Sequence, residues 1–220
     1  MSASRNGNTN KPRRYKGLTP EQLRAERRQR LLEAALDLFA ERGYSNSPIE
    51  LICSTARVTT RHFYEQFGSR EALLSALFQK IVEDIGRDIA HALAEESIDM
   101  TQRVTHAIRT GVQSLLSDQR QARILCLETV GVSREMELQR RRVIHRFAEI
   151  IQQYSDTLAS SGLLPRRDYY LPSIAMVGAT VELVVEWLTT DSQLTPEELA
   201  QEMVLIYRAL MIGAQRYGEK

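Results

Sequence analysis

The chain has 220 residues, 43% of them hydrophobic and 26% charged, enough to bury one large core or two small ones, which excludes a disordered or fibrous protein. Its net charge of +1 conceals a split: residues 1–30 carry nine Lys and Arg against Glu21 and Glu26, a sum of +7, leaving −6 for the remainder. A basic end of this kind seeks polyanions. Cys53 and Cys126 are far apart in apolar surroundings, so neither a disulfide framework nor a zinc spacing is available, and a reducing cytoplasm fits. The first residues lack the apolar run of a signal peptide. The most apolar segment, 174–188, holds Glu182 and Glu186, which a membrane span would not accept, so no membrane partner is expected.

In chain order, residues 1–18 are polar and aperiodic and are expected to form a disordered basic arm. Thr19-Pro20-Glu21-Gln22 is a capping box with proline where no amide partner is needed. Leu32, Ala35, Leu36 and Phe39 then repeat at helical spacing up to Gly43, a helix stop. Ser47-Pro48-Ile49-Glu50 repeats the start signal for a short second helix to about Ala56, and Thr59 caps a third through Tyr64. Ser69 caps a fourth, with Leu73, Leu74, Leu77, Phe78, Ile81 and Ile85 as its apolar stripe.

Further helical patterns cover 101–117, 121–130, 134–160, 170–190 and 196–216, the last opened by the box Thr195-Pro196-Glu197-Glu198. No stretch alternates with period two. The expected fold is all-α: an N-terminal three-helix domain over 19–67 and a helical bundle over 68–220, about nine helices in all.

Two short helices joined by a tight turn, after a longer helix and a basic arm, are the parts of a helix-turn-helix DNA reader. Residues 49–74, ending Val58-Thr59-Thr60-Arg61-His62-Phe63-Tyr64-Glu65-Gln66-Phe67-Gly68-Ser69-Arg70-Glu71-Ala72-Leu73-Leu74, resemble the TetR (tetracycline-repressor) family, as does the preceding run from Ala34 to Tyr44. The resemblance covers about residues 25–78. It implies that Thr59, Thr60, Arg61 and His62 face the major groove of double-stranded DNA, with Ser47, Tyr64 and Arg70 on phosphates. Side-chain chemistry agrees in part, since Arg61 suits guanine and Thr60 a thymine methyl. Arg57 stands where the family usually has a turn glycine; a left-handed conformation there costs a non-glycine residue on the order of 1 kcal/mol, so either the turn differs or something offsets the strain.

Phe63 and Phe67 read as core, as do the two cysteines. His106 and His145 lack a partner at metal spacing, and no cofactor is expected. The run Arg140-Arg141-Arg142, with Glu135, Glu137 and Glu149 in helical reach, reads as a solvated, salt-bridged face. Ile174, Val177, Val181, Val184, Val185 and Leu188 go nearly all round their helix, and the last helix has a similarly wide apolar face. The excess apolar surface, together with the resemblance, implies a homodimer through these two helices.

The resemblance also implies a mostly apolar small-molecule effector cavity among the middle helices, with Glu128, Met176, Glu182 and Trp187 as candidate walls. The expected function is a repressor that leaves a roughly palindromic operator when its effector binds. A helical enzyme is the competing class, but no phosphate loop, nucleophile-base pair or metal spacing supports it. A third reading, a ligand or protein-binding module whose reader no longer binds DNA, rests on Arg57.

Overall fold

A computed structural model describes residues 19–190 and 192–217, all of whose regular elements are helical. The arm expected over 1–18 lies outside the described residues. The helices are α1 (Pro20–Arg42), α2 (Ile49–Ala56), α3 (Thr60–Gln66), α4 (Arg70–Leu93), α5 (Met100–Leu116), α6 (Gln119–Arg123), α7 (Arg134–Ser160), α8 (Tyr170–Thr189) and α9 (Pro196–Tyr217). Between α6 and α7 the chain continues through one π-helical turn, Ile124–Glu128, a rare element that often marks a functional position.

Local signals set most of these boundaries. At α1 the Thr19 hydroxyl accepts the Gln22 amide while the Gln22 side chain accepts the Thr19 amide, and Gly43 at φ 82° ends the helix. Thr59, Ser69 and Ser133 cap α3, α4 and α7 through their hydroxyls. Thr195 and Glu198 exchange bonds at the start of α9, as the sequence implies.

The second start signal works differently. Ser47 does not cap α2; its hydroxyl turns inward and donates to the carbonyls of Leu38 and Gly43, at 3.1 and 2.9 Å. A buried hydroxyl needs such partners, and here it satisfies carbonyls left over at the end of α1.

Helices α1 to α3 close around Phe39, Ile52 and Phe63, which meet Leu73 and Leu74 from the first turns of α4. Phe63 is fully buried, and truncating such a side chain to alanine costs about 3–5 kcal/mol. The same apolar core continues without a break along α4 into the bundle, through Leu77, Phe78, Ile81, Val82 and Ile85 to Leu115 and Met203. At 24 residues, α4 is about 36 Å long and belongs to both halves. Gly111 lets α5 lie close against it: a Cβ there would sit 2.8 Å from Ile89 Cδ1.

By length and composition alone α8 could cross a membrane. It carries Glu182 and Glu186, packs along α7, and fully buries only Ser173 and Val184 within one chain. Its outer face, Leu171, Ala175, Gly178 and Ala179, is exposed, as are Leu205, Ile206, Leu210 and Ile212 of α9.

Candidate nucleic-acid interface and effector cavity

The turn between α2 and α3 is tight. Arg57 takes the left-handed conformation (φ 54°, ψ 44°), and the amide of Val58 donates to the Cys53 carbonyl at 3.0 Å. The turn therefore keeps the geometry that glycine would favour, with the strain accepted. Thr59 follows as the cap of α3, its hydroxyl accepting the His62 amide and lying 2.9 Å from His62 Nδ1. Phe63 faces inward, touching Phe67 at 6.0 Å between ring centroids. Thr60, Arg61 and Tyr64 consequently share the outer face; the Arg61 side chain is 86% exposed and Tyr64 is 56% exposed. His62 is half-buried. Arg61 Nε donates to Glu65 at 3.0 Å, an exposed pair that a polyanion can readily displace.

One arginine braces this helix from behind, and another braces the loop before α2. Arg28 of α1 lies over the Phe67 ring at 4.5 Å, and Gln66 donates to the Arg24 carbonyl at 3.2 Å, which lock α1 to α3. Arg70 stacks on Tyr44 at 4.3 Å and donates to the carbonyls of Ser45 and Ser47. It holds the α1–α2 loop against the start of α4, with Nη1 engaged by both carbonyls. Ser47 is 0% exposed with its hydroxyl and amide both bonded, so its side chain cannot reach a phosphate at all.

Within the bundle lies a cavity of about 200 Å³, walled by α4, α5, the π-helical turn, α7 and α8. Its surface is almost wholly apolar, with Arg140 the sole charged group among its lining residues. Of the candidate walls, Met176 lines it. The others are elsewhere. Glu182 is exposed on α8, because the apolar stripe of that helix turns toward α7 and leaves the acid outside. Trp187 packs against the main core further along α8 and donates from its indole to the Leu194 carbonyl at 2.7 Å. Glu128 accepts the Tyr44 amide at 2.8 Å, across 84 residues, and so ties the π-helical turn to the α1–α2 loop.

That tie has company. Arg123 donates to the Ala40 carbonyl at 3.1 Å, and Arg120 pairs with Asp37 of α1 and with Asp118, whose carboxyl its guanidinium holds below the usual range. The wall that supplies Leu125 and Cys126 to the cavity is thus pinned directly to the helix that carries the reader.

Residues 31–77 match the family model described as bacterial regulatory proteins, tetR family. The DNA-reading part of that family is therefore present in residues 31–77. Among curated relatives it is similar to the HTH-type transcriptional repressor DhaR of Mycobacterium sp. (strain GP1), 32% identical over 88 residues, which are 40% of this chain and 44% of the relative. The match therefore spans less than half of that relative. Over the longer chain the likeness is one of fold. A TetR-family transcriptional regulator from Syntrophomonas wolfei superposes with a TM-score of 0.76 at 22% identity, covering 86% of this chain and 96% of that one. FadR from Bacillus subtilis, solved in complex with stearoyl-CoA, does so with 0.72 at 21% identity, covering 81% and 96%.

Within the cavity, sequence reasoning missed Arg140, reading it as part of a solvated run. The signal was present: Arg140, Ile144, Phe147, Ile151 and Tyr154 recur at alternating four and three residues, one stripe of α7, and all five line the cavity. Arg142 does stay on the outer face, paired with Glu135 at 3.3 Å. His145 is half-buried, 3.0 Å from the Tyr170 hydroxyl, and His106 is exposed. Among the described residues no group of three or more His, Cys, Asp or Glu could hold a metal ion.

Proposed function

We propose that this TetR-type regulator is a homodimer that reads a roughly palindromic operator with Thr59, Thr60, Arg61, His62 and Tyr64, and represses transcription until a largely apolar effector enters the bundle. The carrying observation is the outer face of α3: Thr60, Arg61 and Tyr64 project together from a helix braced by Phe63, Arg28 and Gln66. A rigid scaffold with exposed hydrogen-bonding groups is what direct reading of base edges requires. The exposed apolar and small residues of α8 and α9 support a second copy as their cover, since one chain leaves its most apolar helix open.

The cavity supports effector control because its walls are also the reader's supports. Helix α4 enters both, and the turn carrying Leu125 and Cys126 is held to Tyr44 by Glu128. A ligand changes DNA affinity only by binding two arrangements unequally, and a molecule filling this space would favour the one with the roomier wall. The stearoyl-CoA bound by FadR is in keeping with an apolar effector here.

The test is binding of the full chain to fragments of its own upstream DNA across a salt series, wild type beside Arg61→Ala. Sequence-selective, steeply salt-dependent binding that loses selectivity in the variant supports the reading. Binding that is weak and indifferent to sequence in both proteins counts against it.

A further inference from the structure

We infer that the cavity takes a slender, straight-chain monocarboxylate, with the carboxylate seated on Arg140 at the end nearest the DNA-reading domain and the hydrocarbon tail running between α4 and α7. This deepens the proposed effector reading and rests on it.

The shape comes from helix register. Ser133 donates to Glu71 at 2.5 Å, and the Ser75 hydroxyl lies 2.7 Å from Gln139 Oε1, so α4 and α7 run in the same direction with matching starts. Cavity residues extend along α4 from Phe78 to Leu93 and along α7 from Arg140 to Tyr154. Fifteen to sixteen helical residues span about 21–23 Å. The cavity is therefore lined along most of that length, and its apolar walls suit the hydrocarbon chain of an elongated molecule.

The polarity comes from Arg140. Its side chain is 19% exposed, and Nη1 alone is engaged, by Glu137 at 3.0 Å to Oε2 and 3.3 Å to Oε1. Glu137 is in turn fixed by the Gly131 amide at 2.9 Å, so the guanidinium is held from one side. Among the described residues the Nε and Nη2 groups have no partner. That leaves a fork of donors at the wall of an apolar space, where a carboxylate fits with two parallel bonds. Arg140 also acts electrostatically on the neighbouring Cys126 thiol, which places its charge beside the π-helical turn. The remaining polar groups do not compete: the Thr180 hydroxyl is committed to the Met176 carbonyl at 2.9 Å, and Tyr154 lies at the far end.

Two sources share this chemistry, a free carboxylic acid and an acyl thioester that offers only a carbonyl; the fork selects the free acid. Calorimetric titration of the full chain with dodecanoate, dodecan-1-ol and dodecanoyl-CoA separates them, with Arg140→Met and Arg140→Lys alongside and thermal midpoints as a folding check. The acid should bind wild type at least about tenfold tighter than the alcohol. Arg140→Met should abolish that preference by weakening acid binding far more than alcohol binding, and Arg140→Lys should keep part of it. Equal binding of acid and alcohol by wild type, tighter binding of the thioester, a preference that survives Arg140→Met, or no binding of any of the three overturns the inference. DNA binding is measured separately, so a protein that binds its operator but not the acid refutes this inference alone.

Discussion

Replacing Arg57 with glycine should stabilise the protein. Arg57 is the one non-glycine residue with positive φ among the described residues, and its side chain is exposed with no hydrogen bond or ion pair there. The left-handed conformation costs an L-residue about 1–2 kcal/mol, whereas glycine adopts it freely. Glycine also loosens the unfolded chain, which takes back about 0.4–1 kcal/mol. The net gain is on the order of 0.5–1 kcal/mol, a rise in thermal midpoint of about 1–4 °C for a chain of this size. Arg57→Ala keeps the Cβ and should leave the midpoint where it is. Calorimetric melts at one fixed protein concentration measure both, the concentration being held because association shifts the midpoint. A lowered midpoint in Arg57→Gly, or an equal rise in both variants, would refute the strain argument.

Other substitutions probe the remaining joints. Glu128→Ala strands the Tyr44 amide in a partly buried position and should cost about 1–3 kcal/mol, while Glu128→Gln keeps an acceptor and should recover most of it; chemical denaturation reads the difference. Burial pushes the Cys126 thiol up to about 11. Between about 9 and 11 the unfolded chain therefore gives up this proton while the folded one keeps it, so stability falls as pH rises through that window, by on the order of 2 kcal/mol. Cys126→Val should remove that part of the slope in melts taken from pH 8 to 11, leaving the later loss from Tyr207, which burial pushes to about 12. Leu210→Glu, at a side chain exposed in one chain, should leave the helical content intact and convert dimer to monomer by light scattering; an unchanged dimer would remove α9 from the interface.

The helices were legible in the sequence because their signals are local. A capping hydroxyl, backed at Thr19 and Thr195 by a proline and an acid or amide, defines a start, and the described residues follow that signal at Thr19, Thr59, Ser69 and Thr195. The outward face of α3 was an expectation of the family resemblance, and Thr60, Arg61 and Tyr64 lie exposed there. What escaped depends on partners distant in sequence. Ser47 carries a perfect local start signal, yet two carbonyls at the end of α1 compete for its hydroxyl and win. Arg70 looks like a free cation until Tyr44 and two loop carbonyls are folded onto it. Glu128 read as a candidate cavity wall, and only the tertiary fold brings it to the Tyr44 amide. Arg140 was hidden by its neighbours: a run of three arginines suggests water on every side, but consecutive helix positions point about 100° apart, and one of the three turns inward.

The central claim is that two copies of this chain present two α3 helices to one stretch of DNA. Selection of binding sites from a random duplex pool by the full-length protein tests it most directly. The account predicts enrichment of a two-fold symmetric sequence whose half-sites lie about one helical turn, roughly 10 base pairs, or a multiple of it apart, with Arg61→Ala relaxing the same position in both halves. Recovery of no enriched sequence, or of a single asymmetric site unaffected by Arg61→Ala, would contradict it.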